Sequence, residues 1–450
     1  MRVHGPRWFA RLVTRRVAGA ALFAMAALGV PNASVAQTTV QTAPDNVEQT
    51  PPPPAPGKDA ALDSARARRG ESMTVSIYTY GPGDQVFERF GHIALAIRDT
   101  LTGEDLAFNW GMFDFAQPNF LSRFLTGDTK YWMAGYRTMD FNTAYRGENR
   151  TIREQRLVLT PAQRGALYDF VAWKAQEANK YYRYDYYNDN CSTRVRDAID
   201  WALGGALQQL WSDVDGHHTW RDETARITAD NLPVYAGIQI ALGRNADKHL
   251  TRWQMAFLPE HLADALVATT VNGQPLVAHD SVLYVADRAP MPEHAPQRLL
   301  AAGLLGLVLA LLIVAMAVGL PRAAWITTVA GSLWYGVGGV LGTALLLAGT
   351  VTKHVPYMGT NLSLTVLSPL LLVAAAVWFA RARSSVLGSI ARGASLLIGV
   401  IAILGLIANH VPGYAQGSMV VILCVVPVHL ALAFVAWRSG SSDRASRVRA

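Results

Sequence analysis

Cysteine is nearly absent: the 450 residues hold two, Cys191 and Cys424. Cys424 lies inside a long apolar run, where a thiol serves as a small apolar side chain. Cys191 therefore has no disulfide partner, and a disulfide-stapled scaffold is excluded. No Cys/His spacing matches a structural or catalytic zinc site, so no metal is expected, and no cofactor either. Charge is also sparse, at 16% of residues, while mean hydropathy is positive at +0.16. That balance points to membrane segments beside a soluble domain. The net charge of +7 gives no case for nucleic acid, because many arginines sit at the ends of apolar segments.

What is present divides the chain. Arg2, Arg7, Arg11, Arg15 and Arg16 precede the apolar stretch Val17 to Val30, and Ser34-Val35-Ala36 offers small residues for cleavage before Gln37. Residues 1–36 read as a signal peptide; an uncleaved anchor is the alternative, although the run is short for a span. No Cys follows the run, which excludes a lipid-modified N-terminal Cys on this chain. Residues 37–70 are rich in Pro, Ala, Gln and Thr, with Pro51 to Pro54 consecutive, and read as a stiff disordered tether.

Five long apolar runs close the chain, at about 299–320, 325–350, 362–380, 387–408 and 419–437. Each approaches the roughly 20 residues that cross a hydrocarbon core. With the preceding domain outside, the inside ends hold Arg322, Arg381, Arg383, Arg392, Arg438, Arg444, Arg447 and Arg449, and the outside loops only Lys353. The expected domains are thus a thiol domain at 71–210, a helical exported extension at 211–298, a five-helix membrane domain at 299–437 and a basic cytoplasmic tail at 438–450.

A lone exported thiol is a liability unless it is buried or used. Tyr184-Asp-Tyr-Tyr-Asn-Asp-Asn190 is turn-like and runs through Cys191 into Val195, Ala198, Ile199, Ala202 and Leu203 at helical spacing. Asn190 or Ser192 is suited to cap the helix, so Cys191 falls at its N-terminus. There the helix dipole favours thiolate, and the N–H groups of Cys191 and Ser192 are placed to hold an oxyanion. An inert core thiol is the alternative; the polar surroundings favour a nucleophile.

A nucleophile needs a base. Phe90-Gly91-His92 opens a β-rich run to Ile97, the turn Asp99 to Glu104 follows, and Leu106 to Gly111 returns as the second strand of a hairpin. His92 is the leading base, with a neutral core histidine as the alternative. His217, His218, His249, His261, His279 and His294 sit in polar helix or loop contexts. Asn109, on the neighbouring strand, is the candidate to orient His92. A slip of one residue turns it to the other face and leaves it a backbone partner. Asp114, Tyr187 and Asn190 are reserves, and Arg194 a supporting residue.

A His on a strand followed far downstream by Asn-Cys at a helix start resembles the circularly permuted papain-like fold of NlpC/P60-related and lecithin:retinol acyltransferase-like enzymes. More closely, the chain resembles the DUF4105 family, whose characterised members are the lipoprotein N-acyltransferases called Lnb. The matching elements are Phe90-Gly91-His92, Phe108-Asn109-Trp110-Gly111, Glu148-Asn149-Arg150 and Asn188-Asp-Asn190-Cys191-Ser-Thr-Arg194-Val-Arg-Asp197, over roughly residues 72–437.

The resemblance implies an α+β papain-like exported domain followed by an all-α membrane bundle. It implies a bacterial inner-membrane enzyme with its thiol domain in the periplasm and its C-terminus cytoplasmic. The chemistry implied is acyl transfer from a phospholipid donor through a Cys191 thioester to the N-terminal amine of a diacylglyceryl apolipoprotein. A Cys/His peptidase or amidase acting on cell-wall peptide is the alternative enzyme, and a membrane scaffold the non-enzymatic one. Oligomeric state stays open.

Aromatics crowd between His92 and Cys191, among them Phe113, Phe115, Phe120, Phe124, Tyr131, Tyr186 and Tyr187. Core packing is the ordinary reading, and an interfacial belt facing lipid headgroups the functional one. Arg123, Lys130, Arg137, Arg194 and Arg196 are candidates to meet phosphate. His354 and His410, in the outside loops, either shape a lipid entry site or are plain interfacial side chains.

Overall fold

The computed structural model describes residues 49–319 and 324–448, with side chains in the last helix as far as Ser439. The expected signal peptide, the first part of the tether, Arg322 and Arg449 lie outside the described residues, as do the side chains of Arg444 and Arg447.

Short β-branched and aromatic runs build a seven-stranded sheet in which every neighbouring pair is antiparallel. Its strands are β1 (Met73–Tyr80), β2 (His92–Asp99), β3 (Asp105–Met112), β4 (Lys130–Arg137), β5 (Ile152–Leu157), β6 (Tyr181–Arg183) and β7 (Val277–Tyr284), in the order β7-β5-β1-β2-β3-β4-β6. The β2–β3 hairpin turns through Gly103 at φ +75, and Asp99 N–H donates to Glu104 O at 2.8 Å. Alternation sorts the side chains by face. Ile93, Leu95, Ile97, Phe108 and Trp110 join the main core, which α4 (Pro161–Lys174) and α5 (Cys191–Ala202) cover with Leu167, Val171, Val195 and Ile199. Tyr78, Tyr80, Ala94, Ala96 and Ala107 face the other way, against Phe141 and Tyr145 of α3 (Thr138–Gly147). A short helix α2 (Phe120–Thr126) precedes β4.

Two expected boundaries are corrected. The tether does not run to residue 70: α1 (Ala60–Gly70) is capped by Asp59 and packs on α4. Its glycines let the backbones touch, since a Cβ at Gly70 would lie 1.9 Å from Pro161 O and one at Gly165 2.3 Å from Arg66 O. Arg66 is fully buried, donating to Asp169 Oδ2 at 2.9 Å, Asp63 Oδ1 at 3.2 Å and Pro54 O at 2.9 Å. Composition hid this because the segment cannot build a core of its own and borrows that of α4. The break at 210/211 is not a structural one either. The extension supplies the edge strand β7, and Leu262 and Leu266 from its helix Pro259–Val267 are buried in the main core.

Among the described residues, five helices are long and apolar enough to cross a membrane, at Leu299–Gly319, Ala324–Val351, Leu362–Ala380, Ser385–Ala408 and Met419–Ser439. The third is not a single α-helix: residues Leu362–Thr365 form a 3-10 turn, and α-helix resumes at Leu370 after Pro369. Glycines in the second admit the third closely; a Cβ at Gly331 would lie 2.4 Å from the Trp378 indole and one at Gly342 2.3 Å from Ser368 N.

Removing the Arg66 side chain takes one charged partner from each of Asp63 and Asp169, leaving Asp169 only Arg69, and frees the Pro54 carbonyl beside a packed helix pair. Arg66→Ala should cost about 2–3 kcal/mol, read as a lower melting temperature of the full-length protein in detergent. An unchanged melting temperature would show that α1 contributes nothing to the fold.

Candidate active site

Cys191 is the first residue of α5, and the helix start is built around Asn190. The Asn190 Oδ1 accepts from the Ser192 and Thr193 N–H groups at 2.9 and 3.0 Å, while Thr193 Oγ1 accepts from Asn190 N–H at 2.8 Å. The Asn190 Nδ2 donates to Tyr186 O at 2.8 Å and Phe257 O at 3.0 Å, which ties the preceding loop and the extension to the same point. Val195, Ala198, Ile199 and Ala202 are buried on one face, as their spacing predicts.

His92 opens β2 after Gly91, whose φ of +73 and proximity to Tyr80 O (2.9 Å from a built Cβ) leave no room for a side chain. The register pairs Leu95 with Phe108 and Ala96 with Ala107, which puts His92 and Asn109 on one face. There His92 Nε2 is hydrogen-bonded to Asn109 Oδ1. An amide oxygen only accepts, so Nε2 carries the proton and Nδ1 keeps its lone pair. Asn109 is buried, and its Nδ2 donates to Met112 Sδ at 2.9 Å, which fixes the amide's orientation.

Gly111 brings thiol and imidazole together. It has φ +101 at an irregularity in the β3–β4 pairing, and a Cβ there would lie 3.6 Å from Cys191 Cβ and 3.8 Å from His92 Cε1. Its missing side chain leaves open the floor between the two reacting groups.

Burial sets the resting charges. Loss of water pushes the Cys191 thiol up to about 11, against the backbone N–H groups of Ile93, Ser192 and Cys191 itself and the charge of Arg150. Burial likewise pulls His92 down to about 4, aided by Arg150 and opposed by the hydrogen bond to Asn109. The N–H groups at the helix start do favour thiolate, as expected, but desolvation outweighs them, so the shifts run toward neutral thiol and neutral imidazole. Such a pair makes a nucleophile by passing the proton as the bond forms.

The supporting residues sort differently from expectation. The Ser192 N–H is committed to Asn190 and its hydroxyl donates to Ala256 O at 2.7 Å, so its main bonds are structural. The Asp114 carboxylate accepts from Ala116 N–H in a turn at 2.7 Å. Tyr187 is buried among Phe257, Trp220 and Tyr357, its hydroxyl 3.0 Å from Thr224 Oγ1, and belongs to a second core. Arg194 clasps Asp189 at 2.6 Å and lies over the Tyr182 ring, and Arg196 lies 3.7 Å from the Trp253 ring centre. Both make fold contacts.

Two residues near the pair carried no assignment in the sequence. The Tyr145 ring lies parallel to His92, with centres 6.0 Å apart and planes within 4°. Arg150 is buried over Tyr145 at 4.5 Å and donates to Gly81 O at 2.8 Å. The only advance signals were an aromatic pair, Phe141 and Tyr145, one helical turn apart and the Glu148-Asn149-Arg150 motif that follows.

Away from the pair, ligand atoms of Glu223, Glu260 and His261 lie within 4.8 Å of one another, but Arg226 bonds to both carboxylates. Burial works against ionising Glu223, yet hydrogen bonds from His261 and Arg226 outweigh it and hold the carboxyl at about 2. An ion-pair cluster already balanced in this way has no need of a metal.

The membrane loops reach the thiol loop. The Tyr357 hydroxyl bonds to Asp185 and Asn188, and Gly243 N–H donates to Tyr357 O at 2.7 Å. Asn361 Nδ2 donates to Ile240 O and Ala241 O at 2.9 and 3.0 Å. His354 Nε2 lies 3.1 Å from Phe124 O, whereas His410 bonds its own helix at Leu406 O.

Residues 63–226 match the family profile described as the Lnb N-terminal periplasmic domain. The span takes in α1, His92, Asn109 and Cys191, and ends before the apolar helices. No curated protein and no solved structure matches the chain. Residues 63–226 are thus similar to the Lnb N-terminal periplasmic domain, and the apolar helices that follow suit a membrane protein.

A thiol pushed up to about 11 gains thiolate steadily through neutral pH. In a Cys424→Ser background, iodoacetamide alkylation of Cys191 should climb close to tenfold per pH unit up to about pH 9. A rate that is flat from neutral pH upward would instead mark a preformed thiolate–imidazolium pair.

Proposed function

We infer that this chain is a membrane-bound thiol acyltransferase that moves a fatty acyl chain from a phospholipid through Cys191 to the N-terminal amine of a diacylglyceryl apolipoprotein. The observation that carries the reading is the Cys191–Gly111–His92–Asn109 arrangement, held by hydrogen bonds to the loops between the apolar helices. Both substrates are lipids, which accounts for a thiol site joined to membrane loops. The charge bias of the loops favours an inner-membrane protein with the thiol domain in the periplasm and the C-terminus inside.

In this mechanism His92 Nδ1 takes the thiol proton while Sγ attacks the ester carbonyl carbon. The carbonyl electron pair moves onto oxygen, facing the N–H groups of Ile93 and Cys191. Collapse breaks the acyl C–O bond, and the imidazolium returns its proton to the departing alkoxide. Lysophospholipid leaves and a thioester remains on Cys191. The acceptor amine then attacks the thioester carbonyl and gives a proton to His92. The C–S bond breaks, sulfur regains the proton, and an N-acyl lipoprotein leaves. Asn109 keeps His92 in the one tautomer that presents Nδ1 as a base.

Intact mass of the protein purified from membranes tests the central species. Wild type should carry a fatty-acyl mass that hydroxylamine removes and that Cys191→Ala lacks. No adduct after incubation with phospholipid would overturn the reading and turn attention to hydrolysis of wall peptides.

With isolated enzyme and phospholipid, His92→Ala should slow adduct formation by about 10²–10⁴-fold. Asn109→Ala should slow it less, and should move the pH profile as the imidazole loses its fixed tautomer. Equal rates for wild type and His92→Ala would remove His92 from the mechanism.

A further inference from the structure

The segment that follows β3 carries a surface that the mechanism has not used. Helix α2 carries Leu121, Phe124 and Leu125 with 46%, 41% and 55% of their surface exposed, and Phe115 before it is 56% exposed. A shallow open groove of about 760 Å³ runs along it, with Phe115, Phe120, Leu121 and Leu125 on its apolar side and Gln117, Asn119, Ser122 and Thr126 on its polar side. Large apolar side chains massed in this way on one short helix mark a surface with a partner.

Two observations identify the partner. The C-terminal end of α2 is bonded to the loop after the second apolar helix: Lys353 N–H donates to Thr126 O at 2.8 Å, and His354 Nε2 lies 3.1 Å from Phe124 O. Val351, which ends that helix, is 75% exposed, so the helix surface facing lipid runs directly into the segment that holds α2. The second observation is a row of rings leading inward. Ring centres are 6.2 Å apart from Phe124 to Phe120, 5.2 Å from Phe120 to Phe115 and 4.8 Å from Phe115 to Phe113. Phe113 stands two residues beyond Gly111, the floor between Cys191 and His92.

We propose that α2 inserts its apolar face into the bilayer leaflet on the side of the thiol domain, and that a lipid acyl chain enters at the groove beside α2 and follows the row of rings from Phe120 to Phe113 toward Cys191. The rest of the chain fits this assignment. The five apolar helices anchor α2 at the membrane surface, so insertion costs no translational freedom. The side chains that enter lipid are Phe and Leu, which gain by leaving water. The path to Cys191 rests on the acyltransferase reading; the insertion of α2 does not.

Full-length protein lacking both thiols (Cys191→Ala, Cys424→Ala) is given one new cysteine, by Leu121→Cys or Leu125→Cys, and spin-labelled in phosphatidylethanolamine–phosphatidylglycerol liposomes. Power saturation should show both labels more accessible to oxygen than to a water-soluble nickel chelate. A label introduced by Leu101→Cys, in the β2–β3 turn and 84% exposed before substitution, should show the reverse. Equal aqueous accessibility at all three positions overturns the proposal, whether or not the chain is an acyltransferase.

A second arm uses Leu121→Asp with Leu125→Asp in the native-thiol protein. Acyl-adduct formation should fall on the order of tenfold while iodoacetamide alkylation of Cys191 stays at the wild-type rate, which shows that the site is still folded. An undiminished adduct overturns the acyl-chain path. Absence of adduct from wild type itself strikes the acyltransferase reading and with it the path, and leaves the spin-label result to decide insertion alone.

Discussion

The side chain of Asn190 is the joint on which the candidate site depends. Its oxygen caps the helix that begins with Cys191, and its amide nitrogen holds the carbonyls of Tyr186 and Phe257. Four bonds from one buried amide thus set the thiol against the loop before it, the helix after it and the extension beyond. The cap adds to the core packing of α5 on β2 and to the Ile93 N–H that meets the thiol, and together they set the direction of Cys191. The capping box also leaves the Cys191 N–H outside the helix's own bonding, beside the sulfur it helps to stabilise.

From that joint the strain of the site becomes intelligible. Packing Cys191 and His92 away from water raises one and lowers the other, so charge separation in the resting state is disfavoured. The same burial strengthens every dipole aimed at the sulfur and, in the mechanism proposed, would protect a thioester from water. Tyr145 stacked on His92, and Arg150 over Tyr145, close the opposite side of the ring. Gly111 alone gives the reacting groups an unobstructed approach, at the cost of a backbone conformation that other residues adopt with difficulty.

The thiol domain and the apolar helices are coupled by polar contacts rather than by a tether. The Tyr357 hydroxyl reaches Asp185, whose carboxylate also accepts from the Tyr187 and Asn188 N–H groups at 3.1 and 3.0 Å. One membrane-loop phenol therefore touches the turn that delivers Cys191. Gln416 and Asn361 meet at 3.0 Å and bind the carbonyls at the end of the extension helix Leu232–Ala241. These bonds fix the thiol domain against the apolar helices and bring α2 to the end of the second of them.

Local pattern was enough for the five apolar helices, the β2–β3 hairpin and the start of α5, because length, alternation and cap chemistry each act within a few residues. It was enough to single out Cys191 and His92, and to offer Asn109 while leaving its face undecided. The pairing of Leu95 with Phe108 settled that face, since register belongs to two strands and not to one. Tertiary packing alone made a helix of residues 60–70, drew β7 into the sheet and placed Tyr145 and Arg150 by the imidazole. It also set desolvation of the thiol against its helix N-terminus: a helix N-terminus is visible in a sequence, but desolvation is the work of every neighbour that excludes water, and those neighbours come from distant parts of the chain.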